Sequence, residues 1–382
     1  MAILLWFFVI WKVVDTLVSI FASYFIPYMG LFSYGKDMLV YGLPDFIRSL
    51  SNFDGIFYIR IALKGYSQYE QAFFPLYPLL IRLLTPVVSG NPIIAGLLIS
   101  NAAFLAALLF LKRLLSFIGL KQSQIIWFII FLLAYPASFF FGVIYTESLF
   151  LLLFVASLYF QKRENNTLAF IFAYLTGLTR IVGIFLFIPL FLNALRQFTQ
   201  KKDSLASGFS KMLVVVGPIL GLATYCLYLW RTTADPLFFF KAQEYFGAQR
   251  STQLILLPQV FYRYGKILLT ASKNFQYYVA LIELIFFLFA FIILAYDLYR
   301  LLRTKKINFD RLGLNLFSLV NILLPTLTGT LISIPRFTLL SISIFIFLGQ
   351  IKNIFIKAAL LIIFIVLHIV IFSFFIQGYF VT

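Results

Sequence analysis

Apolar runs of about 20 residues, the length that crosses a bilayer as a helix, recur along the whole chain between short polar stretches. They predict spans at 3–27, 92–112, 123–142, 147–161, 167–179, 181–195, 211–230, 276–299, 312–333, 337–350 and 357–376. The spans are read as helices because a helix satisfies every backbone group internally, and the alternation of a β-barrel is absent. Several runs fall short of full length and are expected to be tilted, broken or re-entrant. The run 167–195 is long for one helix and short for two. Arg180 sits at its middle between Gly177 and Gly183, so two short helices meeting at a turn are expected.

Composition turns this pattern into a class. Of 382 residues, 63% are hydrophobic and 11% charged, a balance no soluble surface could carry without large exposed apolar patches. The chain therefore reads as an all-α polytopic membrane protein forming a single domain over 1–382, with no internal repeat. A net charge of +17 could suit nucleic acid. The basic residues fall instead in short clusters between spans (KRLL, QKRE, QKK, RTKK), as in cytoplasmic loops, so no nucleic-acid partner is expected. Cys226 is alone, so no internal disulfide can form. The first apolar run lacks a small-residue cleavage site and reads as a retained span.

The basic clusters set sides. Lys112, Arg113 and Lys121 mark one inner loop; Lys162 and Arg163 a second; Arg196, Lys201, Lys202 and Lys211 a third; Arg300, Arg303, Lys305, Lys306 and Arg311 a fourth; Lys352 and Lys357 a fifth. About 11 alternating crossings reconcile them, with the N-terminus inside and the C-terminus outside. Two long loops, 28–91 and 231–275, then fall on the outer side, each with amphipathic pieces rich in Tyr and Phe suited to the interface.

Candidate chemistry gathers at outer helix ends. Asp54 lies in SNFDGIFYIRIALKGY, a lone carboxylate among apolar neighbours. It reads as an interfacial acid or helix N-cap, or as a general base whose charged form is disfavoured by desolvation. In AFFPLYPLLIRLL, Pro75 and Pro78 interrupt the helix and Arg82 follows. In YPASFFFGVIYTESLFLLL, Thr146 can cap a span with Glu147 in its first turn, which accounts for Glu147 as readily as a site role does. LTRIVG and SIPRFTL each place one arginine, Arg180 and Arg336, at an outer turn, where a guanidinium needs a carboxylate or phosphate partner. DPLFFFKAQEYFGAQR adds Lys241 and Glu244, which also read as a surface ion pair. Lys12 and Asp15, three apart in the first span, are expected to neutralise each other, Glu283 sits near the outer end of its span, and His368 reads as a packed neutral histidine.

Several chemistries are missing. There is no Walker loop, no GxGxxG, no His/Cys cluster for zinc and no D-x-D, and no Ser or Cys nucleophile stands beside a usable His.

In order, FDGIFYIRIALKGY, AFFPLYPLLIRLL, YPASFFFGVIYTESLF, LTRIVG, DPLFFFKAQEYFG and IPRFTLL resemble the second GPI mannosyltransferase (PIG-V-type) family and its prokaryotic relatives. The likeness runs from about residue 50 to the C-terminal FFIQGYF. Phe53 stands where that family commonly has Trp, and the C-terminus is shorter and plainer. The resemblance implies a GT-C integral-membrane glycosyltransferase. Such an enzyme moves a hexose, typically mannose, from a polyprenyl-phosphate carrier to a lipid-linked or other membrane-surface acceptor on the non-cytoplasmic face. The membrane would be the plasma membrane of a prokaryote or the endoplasmic reticulum of a eukaryote.

On that reading Asp54 is the base for an inverting, metal-independent transfer, and needs no cofactor beyond the donor. Arg336, Arg180 and Lys241 are the donor-phosphate candidates. Glu147, Tyr58, Tyr145, Glu244 and Arg82 bind substrate or support the site, and a small membrane subunit is an optional partner. Two other classes fit an apolar bundle: a transporter of lipid-linked sugars, and a non-catalytic subunit of a glycosylation complex. Transporters favour inverted repeats and mid-membrane polar groups, whereas the polar candidates here sit at helix ends.

Overall fold

Asparagine starts many of the helices. Asn91, Asn165, Asn274, Asn308 and Asn353 each stand before an apolar run and accept backbone N–H groups from its first turn. The computed structural model describes residues 2–30, 32–200, 205–246, 251, 253–304 and 307–381. Among them there is no strand. The helices are α1 (Ala2–Phe25), α2 (Asp45–Arg48), α3 (Asp54–Lys64), α4 (Leu76–Leu84), α5 (Pro92–Phe117), α6 (Gln122–Ala134), α7 (Glu147–Lys162), α8 (Asn166–Gly177) and α9 (Phe187–Gln200). They continue as α10 (Leu205–Thr233), α11 (Phe238–Lys241), α12 (Leu257–Thr270), α13 (Phe275–Leu302), α14 (Phe309–Leu323), α15 (Ile334–Thr338), α16 (Ile342–Gln350) and α17 (Ile354–Ile376).

Among the described residues, seven helical stretches are long and apolar enough to cross a membrane: Ile3–Phe25, Pro92–Phe117, Ile181–Phe198, Gly208–Thr233, Phe275–Leu302, Phe309–Thr328 and Ile354–Ile376. The chain is thus a multi-pass integral membrane protein. Other expected spans are shorter or broken. The run 123–142 is helical only to Ala134, because Tyr135 precedes Pro136 and a residue before proline disfavours the α region. The run 312–333 leaves α-helix at Leu323 and passes through a 3-10 turn, Pro325–Thr328. The run 337–350 is divided between α15 and α16.

The chain divides into two compact units, Met1–Tyr159 with Leu348–Val381, and Phe160–Phe347. In the first, α1 packs on α17, α5 and α6. The expected Lys12–Asp15 pair is not what holds it. Asp15 Oδ1 lies 2.8 Å from Nε2 of His368, and Lys12 instead points its ammonium at the carbonyl of Gly142, 3.4 Å away. Long-range packing supplies the hydrogen bond that the local three-residue spacing does not, because a buried carboxylate needs a hydrogen-bonded partner. His368 is packed as expected, at 3% exposure, but it is an engaged residue and not an inert one.

In the second unit α8 and α10 pack closely. A Cβ on Gly221 would collide with the Tyr174 carbonyl oxygen, and one on Gly177 with that of Pro218, so glycine is what lets these backbones approach. Asp310 at the start of α14 receives both Lys162 and Arg196, the latter at 2.8 Å. Arg311 bonds Asp297 at 2.9 Å, and Asn315 reaches the same carboxylate. The chain therefore leaves this charged cluster at Lys162 and returns to it at Arg196, with Arg180 at the far turn. That is the two-helix path expected for 167–195.

The cluster corrects one expectation. Lys162 and Arg311 are not solvated loop charges but are largely buried in ion pairs, and Lys211 is buried over the ring of Phe198. In the first unit Lys357 is likewise buried, over Trp127. Lys201, Lys202, Lys305 and Lys306 lie outside the described residues.

Candidate functional site

In the first unit the acid motif begins on a strained residue. Phe53 has φ 59° and ψ −116°, a conformation that bulky residues rarely adopt. Three rings hold it there: Phe32, Phe375 and Phe380, with centroids 5.1, 5.6 and 5.4 Å away. The sharp turn starts α3 at Asp54, which is half-buried. Asp54 is therefore not the N-cap; that position belongs to Phe53, and Asp54 opens the first turn, where the helix dipole favours a negative group.

The motif at 135–150 locks onto this start. The backbone N–H of Asp54 donates to the Tyr145 hydroxyl at 3.3 Å, and that hydroxyl donates to the Asn52 carbonyl at 3.1 Å. Asn52 in turn donates its side-chain amide to the Phe375 carbonyl at 3.0 Å. Gly55 keeps this approach close, because a Cβ there would sit a tight 3.1 Å from the Ile144 carbonyl oxygen. Tyr58 is buried with its ring 5.2 Å from Tyr77 and 6.4 Å from Tyr145, so it supports the cluster from beneath.

Glu147 is fully buried at the first position of α7, and the Thr146 carbonyl accepts the Phe150 N–H at 2.8 Å, as an N-cap residue does. A polar chain runs beside it: Tyr77 and Ser100 hydroxyls meet at 2.6 Å, and Ser100 donates to the Tyr145 carbonyl at 3.4 Å. Arg82 is not brought into this cluster. It is exposed on α4, whose buried residues are Tyr77, Pro78 and Ile81.

Two arrangements here escaped the sequence. Arg60, on α3, stacks 3.6 Å over Tyr34 and bonds both Glu70 (3.2 Å) and Asp37 (3.1 Å), tying three parts of the loop 28–91 together. An arginine inside an otherwise apolar helix was the available signal. The second is Ser138, whose Oγ lies 3.2 Å from Nδ1 of His368, which bonds Asp15 through Nε2. A serine does therefore stand beside a histidine. All three residues are buried, and the Ser138 hydroxyl donates to the Leu133 carbonyl at 2.6 Å, so the array holds helices together and is not an exposed nucleophile.

In the second unit the two arginines meet over one ring. The guanidinium carbons of Arg180 and Arg336 lie 5.4 and 5.6 Å from the Phe337 centroid. Asn321 fixes that ring's backbone by donating to the Phe337 carbonyl at 2.6 Å. Arg336 follows Ser333, which has φ 67°, another non-glycine residue in the left-handed region. Nearby, Tyr264 donates to Glu283 at 2.7 Å and accepts the Leu331 N–H at 2.9 Å, so α12 pins the segment leading to Arg336. The sequence places Glu283 near the outer end of its span and carries no sign of this role.

Lys241 meets Asp235 at 2.7 Å, a pairing with the loop before α11. That hydrogen bond holds the Asp235 carboxyl below its ordinary range. Glu244 is exposed in the 3-10 turn that follows α11. Among the described residues no group of three or more His, Cys, Asp or Glu is disposed to hold a metal. Compared with known protein families, with curated proteins and with solved structures, the chain matches none.

Proposed function

We propose that this chain is a membrane glycosyltransferase of the GT-C type, with about 11 crossings once the shorter and re-entrant helices are counted with the long ones. It moves a hexose, mannose by preference, from a polyprenyl-phosphate carrier to a hydroxyl on a membrane-surface acceptor, at the non-cytoplasmic face. The observation that carries the reading is Asp54: an acid at a strained helix start, its backbone N–H held by the Tyr145 hydroxyl and the preceding Phe53 packed among aromatic rings.

In the reaction Asp54 takes the proton of the acceptor hydroxyl. The freed oxygen attacks the anomeric carbon opposite the phosphate, the bond from that carbon to the phosphate oxygen breaks, and the configuration inverts. The polyprenyl phosphate leaves with one more negative charge than it had as a diester. Arg336 and Arg180 are suited to that oxyanion, because guanidinium forks match phosphate oxygens. Lys241 is the weaker candidate, since Asp235 already occupies its ammonium.

The test is reconstitution of the full chain with labelled polyprenyl-phosphate-mannose and membrane lipids, comparing wild type with Asp54→Asn. Transfer by the wild type and a loss of about a hundredfold or more in the variant support the reading, in the range of general-base catalysis. Full transfer by the variant removes Asp54 from the mechanism. Label that crosses the bilayer without a new glycosidic bond marks a transporter. Absence of both marks a non-catalytic subunit.

A further inference from the structure

At the end of the first unit remote from Asp54, α1, α5 and α7 border an open pocket of about 550 Å³, within the size range of small-ligand sites. The remoteness follows from α5. Its Ser100 touches the Tyr77–Tyr145 cluster, and Arg113 lies about 20 Å further along the same helix. The pocket is lined by Leu4 from α1, Tyr159 from α7, and one face of α5 carrying Leu109, Lys112, Arg113 and Phe117. Positions 109, 113 and 117 recur every four residues, as does 112 with 116, so cations and apolar groups share that face.

Several other cations on helices have acids beside them: Arg60 has Asp37 and Glu70, Arg196 has Asp310, Arg311 has Asp297. Among the described residues no acid pairs with Lys112 or Arg113. The Arg113 guanidinium carbon stands 6.0 Å from the Tyr159 ring, close to the apolar wall rather than directed away from it.

We propose that this pocket holds an anionic glycerophospholipid. Its phosphodiester lies on Lys112 and Arg113, and the first segments of its chains lie against Leu4, Leu109, Phe117 and Tyr159. Two positive groups at the end of a long apolar helix sit at headgroup depth, where each adds attraction to anionic lipid. The guanidinium offers the phosphate a two-pronged donor, and the ammonium a second charge. The apolar walls argue for a lipid over free phosphate, because an ion alone would leave Phe117, 48% exposed, uncovered. The site is independent of the proposed sugar transfer and stands or falls without it.

The test uses native mass spectrometry of the whole protein in detergent. It is titrated with phosphatidylglycerol, with phosphatidylcholine of the same chains, and with inorganic phosphate. The wild type retains phosphatidylglycerol in preference to phosphatidylcholine. Lys112→Ala with Arg113→Ala weakens that retention about thirtyfold, roughly fivefold for each charge lost. Lys64→Ala, an exposed cation on α3, leaves it unchanged and controls for net charge. A melting curve in the same detergent confirms that each variant is folded. If the double variant does not fold, Arg113→Gln alone is read, with a fivefold loss expected. Equal retention of the two lipids by the wild type, unchanged retention in the variants, or displacement of the lipid by millimolar phosphate would each overturn the proposal.

Discussion

The hydroxyl of Tyr145 accepts the backbone N–H of Asp54 at 3.3 Å, although 91 residues separate them. The same hydroxyl donates to Asn52, so one phenol fixes the turn from both sides. Tyr145→Phe keeps the ring and removes both bonds. We expect a stability loss of about 1–2 kcal/mol, the cost of stranding a buried polar group. If Asp54 is the base, transfer falls about tenfold in kcat with the donor KM nearly constant, because the acid is misplaced but present. A Tyr145→Phe enzyme with an unchanged kcat and melting point would show that the bond positions nothing.

The two arginines at Phe337 are expected to act as forks. Arg336→Lys keeps the charge and loses the bidentate geometry, so the donor KM should rise several-fold, and Arg336→Ala should raise it by about tenfold or more. Arg180→Lys should follow the same order. Kinetics against a polyprenyl-phosphate series will decide. A lysine that substitutes without loss would point to simple charge balance.

Lys241 gives a contrasting prediction with a pH dependence. Its bond to Asp235 holds that carboxyl below its ordinary range. A group depressed in the folded state makes its contact fully above the ordinary value and loses it as pH falls through the lowered one. The pairing should therefore persist at neutral pH and release only in acid, and Lys241→Ala should move the Asp235 titration upward. Carboxyl-carbon NMR would follow this. A midpoint unmoved in Lys241→Ala would count against the pairing. The same variant should alter donor KM less than Arg336→Ala does.

The buried pair Asp15–His368 should be costly to break and cheap to replace whole. His368→Phe leaves the Asp15 carboxylate buried without its partner, for a loss of about 3 kcal/mol or more. Asp15→Leu with His368→Phe should recover most of that, giving strong non-additivity. Thermal unfolding in detergent measures both. Additive losses would mean that the two residues do not act as a pair.

Gly221 tests the packing of α8 on α10. Gly221→Ala drives a methyl group into the Tyr174 carbonyl and should destabilise by about 1–3 kcal/mol. Gly265→Ala, where a Cβ meets open space, should cost nothing by crowding. Equal melting points for both variants would mean the two helices part more easily than the glycine spacing implies.

Much of this fold was legible in the sequence because a membrane imposes long-period rules. Apolar length determined that the chain is helical and crosses a bilayer several times. The glycines around Arg180 marked the return turn. Tertiary structure alone decided the partners. A carboxylate in a helix reads locally as belonging to the lysine three residues away, yet Asp15 bonds His368 near the other end of the chain, because a buried carboxylate needs a hydrogen-bond donor and packing brings the imidazole to it. The bond from Asp54 to Tyr145, the meeting of Arg180 and Arg336 over Phe337, and the three-way hold on Arg60 are likewise products of packing. Each joins segments whose approach depends on how helices stack, and no spacing along the chain encodes that.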